Sequence, residues 1–227
     1  VRYAALVPNL AGLARAQAAG VTEIAVFAAA SETFSRRNIN QSIEDSLETY
    51  RGVCGRAAEL GMRVRGYLST AFGCPFEGTV APARVADVAA ALFAMGVFEV
   101  AVSDTIGIAH PGQVPGVVTA VADRVPIDRI ALHFHDTRGT ALANVLVGLE
   151  LGIATFDASA GGLGGCPYAP GATGNLATED LVYMLNGLDI ETGIDLAALV
   201  KASAFIEPCV GRPLPSRYYR AARSAKR

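Results

Sequence analysis

Short apolar runs recur along the chain and predict the strands of a parallel sheet. The runs are rich in β-branched residues, which is typical of strands that are buried on both faces. The predicted strands cover residues 3–7, 23–28, 64–69, 98–102, 130–133 and 154–157. Helical patterns lie between them, and this alternation predicts an α/β fold with a parallel sheet.

The helical segments carry start and stop signals as well as periodicity. Spacings of three and four residues place one set of residues on a single helix face. That set is Ile43, Leu47, Tyr50, Cys54 and Ala57. Pro82 and Pro111 suit the first turn of two further helices. Glycines stand just before four predicted strands, where a left-handed helix cap would require them. They are Gly20, Gly61, Gly96 and Gly152.

The length and regularity of this repeat favour a closed (β/α)8 TIM barrel over an open doubly wound sheet. A closed barrel has eight strands, so six predict either an open sheet or a barrel that lacks its first two strand-helix units. The chain opens directly on a predicted strand, without a starting methionine. We expect a partial barrel domain over residues 1–211 and a flexible, basic C-terminal tail over residues 212–227.

Composition narrows the class of function. Hydrophobic residues make up 52% of the chain and charged residues 18%, which predicts a compact globule. The 19 basic and 21 acidic residues form no basic stripe, which argues against nucleic acid as a partner. No apolar run reaches the roughly 18 residues of a membrane span, and no leader is recognisable. Four scattered cysteines indicate reduced thiols and a cytoplasmic protein, three of them as packing residues.

Polar residues cluster at the carboxyl ends of the predicted strands, where parallel α/β proteins place their active sites. The segments are 31–32, 69–70, 103–105, 133–137 and 157–159. Taken singly, Asp104 and Asp136 are equally well explained as helix N-caps or turn residues. Together, the segments predict a site for a small-molecule substrate.

His133 and His135 are the sharpest of these features. Positions i and i+2 of a strand point to the same face, so the two imidazoles can share one metal ion. The alternative is an ordinary hydrogen-bonded core histidine. His110 has no such neighbour and is interpreted as a loop residue. The pair alone identifies neither the metal nor the reaction.

A glycine-rich loop over residues 161–175 is the second feature. It lacks the endings of a P-loop and of a dinucleotide fingerprint, and it holds the thiol of Cys166. Loops that close over substrates commonly carry catalytic groups, whereas packing is the alternative for this thiol. After the loop, Thr178 is a predicted helix N-cap, with Glu179 and Asp180 in the first turn, where a structural role is the simplest explanation.

Residues 161–169, Gly-Gly-Leu-Gly-Gly-Cys-Pro-Tyr-Ala, resemble the signature of the hydroxymethylglutaryl-CoA lyase family. The resemblance extends along nearly the whole chain. Further segments that look like the family, in family order, are 30–32, 38–40, 65–67, 73–75, 103–107, 133–137 and 174–183. The cysteine loop separates these lyases from the related condensing synthases and oxo-acid aldolases.

The resemblance implies a TIM barrel that binds Mg²⁺ or Mn²⁺ through two histidines, an asparagine and an aspartate of the first strand. It implies cleavage of 3-hydroxy-3-methylglutaryl-CoA to acetyl-CoA and acetoacetate, as in leucine degradation and ketone-body formation. Carried over by motif, the metal ligands are His133, His135 and Asn175, the catalytic residues Cys166 and Asp104, the substrate-binding residue Asn38, and the supporting residues Glu179 and Asp180.

The family's aspartate ligand and its neighbouring substrate-binding arginine have no counterpart in this sequence. We therefore expect the isolated chain to be nearly inactive, with an open side to its barrel. Two alternatives stay open: a lyase for a longer 3-hydroxy-3-alkylglutaryl-CoA, and a truncated, non-catalytic fragment. A homodimer is a possible assembly.

Overall fold

The computed structural model describes residues 2–165 and 174–224, and a six-stranded parallel sheet is its central element. The strands follow one another in sequence order, each paired in parallel with the next. They are β1 (Ala4–Leu6), β2 (Glu23–Ala29), β3 (Arg63–Ser69), β4 (Glu99–Asp104), β5 (Ile130–Phe134) and β6 (Thr155–Asp157). The predicted strands and their parallel arrangement are confirmed.

Nine α-helices lie in the part of the chain that the structure describes. They are α1 (Leu10–Ala18), α2 (Glu32–Ile39), α3 (Ile43–Glu59), α4 (Pro82–Ala94), α5 (Val114–Ala122), α6 (Ala141–Glu150), α7 (Thr178–Gly187), α8 (Leu196–Val210) and α9 (Arg217–Ser224). Two short 3₁₀ turns cover Ile127–Arg129 and Ala160–Gly162.

Most of the predicted helix boundaries are present. Ser42 and Asp45 form a reciprocal capping box at the start of α3, and Pro82 is the first residue of α4. The four cap glycines have φ angles of 73°, 66°, 86° and 90°, the left-handed values that were predicted. The prediction for Pro111 is wrong. The backbone N–H of Gln113 donates to the His110 carbonyl at 2.8 Å, so this proline lies in a turn and α5 begins at Val114.

The sheet is strongly curled. Arg65 on β3 reaches Asp157 on β6 with an Nη1 to Oδ1 distance of 2.8 Å, although β4 and β5 lie between these strands. Neighbouring strands are about 4.8 Å apart, so in a flat sheet β3 and β6 would be separated by roughly 14 Å. The six described strands therefore form a half-barrel whose edges are β1 and β6, in agreement with a TIM-barrel type of fold.

Two sets of side chains alternate along each strand. One set packs outward under the helices and forms the hydrophobic core, in which Ile24, Leu68, Val102 and Leu132 are fully buried. The other set faces the inside of the curled sheet. This alternation decides which polar residues can reach the cavity described below.

A flexible tail was predicted over residues 212–227, and the described part of it, residues 212–224, differs from that prediction. Residues 217–224 form α9, which contacts α7 and α8, and Leu214 and Tyr219 are buried. The reason is a helix cap, since the Ser216 hydroxyl accepts from the backbone N–H of Tyr219 at 3.1 Å. Over the described ranges, no helix combines the length and apolarity needed to cross a membrane.

Candidate metal and active site

His133 and His135 stand at the carboxyl end of β5. Both line a cavity of about 640 Å³ on the inside of the curled sheet, and their ring centroids are 5.2 Å apart. The two imidazoles thus lie on one face of the strand, as their spacing predicted.

Asp157 holds the His133 ring. These residues are paired in the register of β5 and β6, and His133 Nδ1 lies 3.2 Å from Asp157 Oδ2. Burial alone would raise the pKa of Asp157, but the hydrogen bond from His133 and the charge of Arg65 outweigh it and lower that pKa. An ionised carboxylate only accepts hydrogen bonds, so His133 Nδ1 donates to it, and Nε2 is the nitrogen on the far side of the ring.

His135 is more deeply enclosed than His133. Its side chain is 7% exposed, and burial, together with the nearby His133, lowers its pKa to about 4. The ring is consequently neutral at pH 7. Its Nδ1 is buried and has no hydrogen-bond partner among the residues that the structure describes.

Asn175 is brought beside His135 by an isolated antiparallel bridge between their backbones. Its Nδ2 donates to the Leu163 carbonyl at 2.8 Å, whereas its Oδ1 is buried without a partner within the described ranges. A buried polar atom without a partner costs about 1–3 kcal/mol. Two such atoms, one on His135 and one on Asn175, are what the side chains of cation ligands would leave, so these residues and His133 fit the metal that the resemblance implies.

Glycines allow Asn175 this position. A Cβ at Gly164 would lie 2.5 Å from Asn175 Nδ2, and one at Gly174 would lie 2.5 Å from the Gly162 carbonyl oxygen. Residues 162–164 and 174–175 can therefore approach one another this closely only because Gly164 and Gly174 have no side chain.

Histidine and acidic residues do not form a larger metal cluster here. Within residues 2–165 and 174–224, no three His, Cys, Asp or Glu side chains converge on a possible metal position. The candidate ligand set in this part of the chain is therefore two imidazoles and one amide oxygen.

Asp104 is on the other face of the sheet. It pairs in register with Phe134, while its neighbours Ser103 and Thr105 line the cavity. Its buried carboxylate accepts from the backbone N–H groups of Ile108 at 3.0 Å and Ala109 at 3.1 Å. Burial raises the pKa of Asp104 to about 6, although these hydrogen bonds act in the opposite direction. The structure supports the turn-forming explanation, although the charge of His133 also acts on this carboxylate, and the catalytic role of Asp104 stays a prediction.

Asn38, in the last turn of α2, does line the cavity, together with Ile39. Apolar side chains complete the lining near it, among them Ala25 and Phe27. The predicted substrate-binding residue is therefore located where a substrate in the cavity could reach it.

Glu179 and Asp180 join separate segments behind the site. The Glu179 carboxylate is fully buried and accepts from the backbone N–H of Gly161, at 2.8 Å for the nearer oxygen, and from the Ser203 hydroxyl. Asp180 accepts from Ser216 Oγ at 2.8 Å. Both side chains support structure, as the simpler explanation held. The N-cap of α7 is Ala177 rather than the predicted Thr178, whose N–H donates to the Ser159 carbonyl.

We expect Glu179→Ala to lower the free energy of unfolding by about 2–6 kcal/mol. The change leaves the Gly161 N–H and the Ser203 hydroxyl buried without an acceptor, at about 1–3 kcal/mol each. Urea unfolding followed by circular dichroism measures this difference. Glu191→Ala is the matched control, because Glu191 is exposed and should change stability by less than about 0.5 kcal/mol. Equal stability of the two variants would contradict the assigned role.

The catalytic residue predicted from the glycine-rich loop, Cys166, lies outside the described residues. Of the other cysteines, Cys54 and Cys74 are buried, as predicted for packing residues, and burial raises the pKa of the Cys54 thiol to about 11. Cys209 is exposed, so the packing prediction is wrong there. It points outward from α8, where most side chains face solvent.

Sequence reasoning missed the roles of Arg65 and Glu99. The Nε of Arg65 lies 2.7 Å from Glu99 Oε2, and both side chains are only 13% exposed. The sequence did contain a signal for an inward-facing polar set on β3. Arg65, Tyr67 and Ser69 alternate along this strand with the buried Val64, Gly66 and Leu68. A strand whose polar side faces the inside of a barrel produces this pattern.

Comparisons with known proteins agree with one another. A model of the HMGL-like family matches residues 3–206. A hydroxymethylglutaryl-CoA lyase of Bacillus subtilis is 52% identical, over 96% of this chain and 73% of that protein. A 3-hydroxy-3-isohexenylglutaryl-CoA/hydroxy-methylglutaryl-CoA lyase of Pseudomonas aeruginosa is 54% identical, over 96% of this chain and 72% of its own length. The crystal structure of a hydroxymethylglutaryl-CoA lyase from Pseudomonas aeruginosa superposes with a TM-score of 0.97 at 53% identity, covering 99% of this chain and 75% of that one.

Proposed function

Because the chain belongs to the HMGL-like family, we propose that it is a carbon–carbon lyase that cleaves 3-hydroxy-3-methylglutaryl-CoA to acetyl-CoA and acetoacetate. The family membership confirms the resemblance seen in the glycine-rich segment. The structural observation that supports the proposal is the position of His133 and His135, which line one cavity with ring centroids 5.2 Å apart. Asn175 is joined to His135 by a backbone bridge, and among the described residues His135 Nδ1 and Asn175 Oδ1 are buried without partners.

These three residues would hold a divalent cation. We propose Mg²⁺ or Mn²⁺, since an amide oxygen and two imidazoles leave coordination positions for water and substrate oxygens, unlike a closed zinc site rich in thiolates. When bound, such a cation polarises the tertiary alcohol of the substrate and favours loss of its proton. His133 and His135 stay neutral in this role, because only an unprotonated imidazole nitrogen can be a ligand.

The remaining residues have separate tasks in the proposal. Asn38 would contact the substrate from α2, at the wall of the cavity. Breaking the carbon–carbon bond leaves the thioester enolate of acetyl-CoA, which needs a proton. As the resemblance implies, the thiol of Cys166 would donate that proton. The bound substrate would fill the site and exclude water from it.

The reaction is tested by supplying 3-hydroxy-3-methylglutaryl-CoA with Mn²⁺ and following both products by chromatography. We expect equimolar acetyl-CoA and acetoacetate, and no products when EDTA removes the metal. Hydrolysis to free CoA, without acetoacetate, would contradict the assignment to this class of lyase. Turnover that EDTA leaves unchanged would contradict the metal proposal.

A longer substrate is the second candidate, and two observations favour it. The printed name of the Pseudomonas aeruginosa relative includes 3-hydroxy-3-isohexenylglutaryl-CoA. In addition, Ala5, Ala25 and Phe27 give the cavity an apolar surface that an alkyl substituent could contact.

We expect 3-hydroxy-3-isohexenylglutaryl-CoA to be cleaved with a kcat/KM within about 100-fold of that for the methyl substrate. A hydrophobic pocket discriminates only weakly against an alkyl group that it can accommodate, and a total preference of about 1–3 kcal/mol corresponds to about 10- to 200-fold. Parallel assays at equal enzyme and metal concentrations measure the ratio. Turnover of the methyl substrate alone would exclude the second candidate.

The cytoplasmic location and the homodimer predicted from the sequence stay predictions.

A further inference from the structure

Five side chains form a connected network of hydrogen bonds and ion pairs across the inside of the half-barrel, and one of them is Tyr67, whose hydroxyl accepts from Arg65 Nη1 at 2.6 Å. Arg65 is in the middle of the network. Its Nε lies 2.7 Å from Glu99 Oε2, and its Nη1 lies 2.8 Å from Asp157 Oδ1. Asp157 uses its other oxygen, Oδ2, to contact His133 Nδ1. The guanidinium of Arg65 therefore links the carboxylate that holds the histidine to a fixed anchor on β4.

Stability does not explain this arrangement well. The side chains of Arg65 and Glu99 are 13% exposed and that of Asp157 is 20% exposed, so the charges lose most of their hydration. Apolar side chains of similar volume often stabilise a barrel interior as well as a buried ion pair does. A role in fixing geometry accounts for the network better, because a planar guanidinium holds two carboxylates at defined angles.

The geometry fixes one histidine in particular. Asp157 is contacted on both oxygens, so its carboxylate has little freedom to rotate. An imidazole that donates from Nδ1 to a fixed carboxylate keeps its ring orientation and exposes Nε2 on the far side of the ring. Since that ring is 5.2 Å from the ring of His135, the direction of Nε2 decides whether both imidazoles can share an ion.

We propose that Arg65 is a positioning residue that acts through Asp157 to hold His133 in the orientation and tautomer needed for metal binding. The inference rests on the proposed function of His133 as a ligand. Arg65 would touch neither the metal nor the substrate. Its effect should therefore appear in metal affinity and in the orientation of the imidazole, and it should depend on the presence of Asp157.

The test uses Arg65→Lys, because lysine keeps the positive charge next to Glu99 but has no planar fork to span two carboxylates. We expect the dissociation constant for Mn²⁺, measured by electron paramagnetic resonance titration, to rise about 10- to 100-fold, the usual cost of losing an outer partner of a ligand. Arg63→Lys is the matched control on the same strand. Arg63 pairs with Glu23 at 3.1 Å, and the dissociation constant should stay the same.

A double-mutant cycle separates positioning from a general structural effect. In an Asp157→Ala background, Arg65→Lys should cause no further loss of Mn²⁺ affinity, because the side chain that links Arg65 to His133 is already gone. An equally large loss in that background would overturn the proposal. If Arg65→Lys does not fold, Glu99→Gln changes only the far anchor of the guanidinium. Glu99→Gln should also raise the dissociation constant for Mn²⁺, and an unchanged value would count against the proposal.

The ¹⁵N signals of the imidazoles provide a readout that does not require the metal. The chain has only three histidines, so His133 can be assigned by comparison with histidine variants. We expect a proton on Nδ1 in the unmodified protein and a mixture of tautomers in Arg65→Lys. If the unmodified chain binds no Mn²⁺ but shows this change, the proposed metal site fails and the positioning role stands. Identical signals in both proteins would overturn the positioning role itself.

Discussion

Replacing His135 with alanine should weaken Mn²⁺ binding by about 100-fold or more and abolish lyase turnover. Loss of an outer partner of a metal ligand already costs about 10- to 100-fold in affinity, and loss of the ligand itself should cost at least as much. Only three candidate donors are identified in the part of the chain that is described, so we expect a large loss when one is removed. Isothermal titration with Mn²⁺ measures the affinity, and product formation measures turnover.

The fold should tolerate this change, which makes the result interpretable. His135 Nδ1 has no hydrogen-bond partner in the described structure, so alanine removes a buried polar atom that nothing there satisfies. His110→Ala is the matched control, because His110 lies in an exposed loop outside the cavity lining. It should bind Mn²⁺ like the unmodified protein. Unchanged affinity in His135→Ala would contradict the proposed metal site.

The features that depend on local chain geometry could be predicted from the sequence. Side-chain alternation along a strand is independent of the rest of the fold, so the spacing of His133 and His135 was sufficient to place both on one face. The cap glycines are predictable for a similar reason. A helix that ends directly before a strand needs a left-handed residue, and glycine adopts that conformation without steric cost.

Features that depend on tertiary geometry could not be predicted in this way. The pairing of Arg65 with Asp157 joins residues 92 positions apart and requires the curvature of the whole sheet. The face of the sheet on which Asp104 lies depends on its pairing with Phe134 of β5. The polar segment 103–105 does not show which of its residues face the cavity. At the end of the chain, basic residues suggested a tail. The buried Tyr219 and the cap at Ser216 instead fix a helix against α7.

Replacing Cys166 with alanine should lower kcat by about 10²- to 10⁴-fold, the usual contribution of a general acid or base. The reason is chemical, because the thioester enolate that leaves during cleavage must be protonated. A thiol with a pKa near 8.5 can supply the proton at neutral pH. Cys166→Ser should be nearly as slow, since an alcohol of similar shape is a far weaker acid. Steady-state kinetics with 3-hydroxy-3-methylglutaryl-CoA measure both variants.

Cys209→Ala is the matched control for this experiment, because its thiol is exposed on α8 and donates to the Phe205 carbonyl, one turn earlier in the same helix. Its kcat should equal that of the unmodified protein. The Mn²⁺ affinity of Cys166→Ala should also be unchanged, since the candidate metal ligands are His133, His135 and Asn175. A Cys166→Ala variant that keeps its kcat would support the packing explanation for this thiol. One that loses metal binding together with turnover would show that the residue supports the metal site rather than proton transfer.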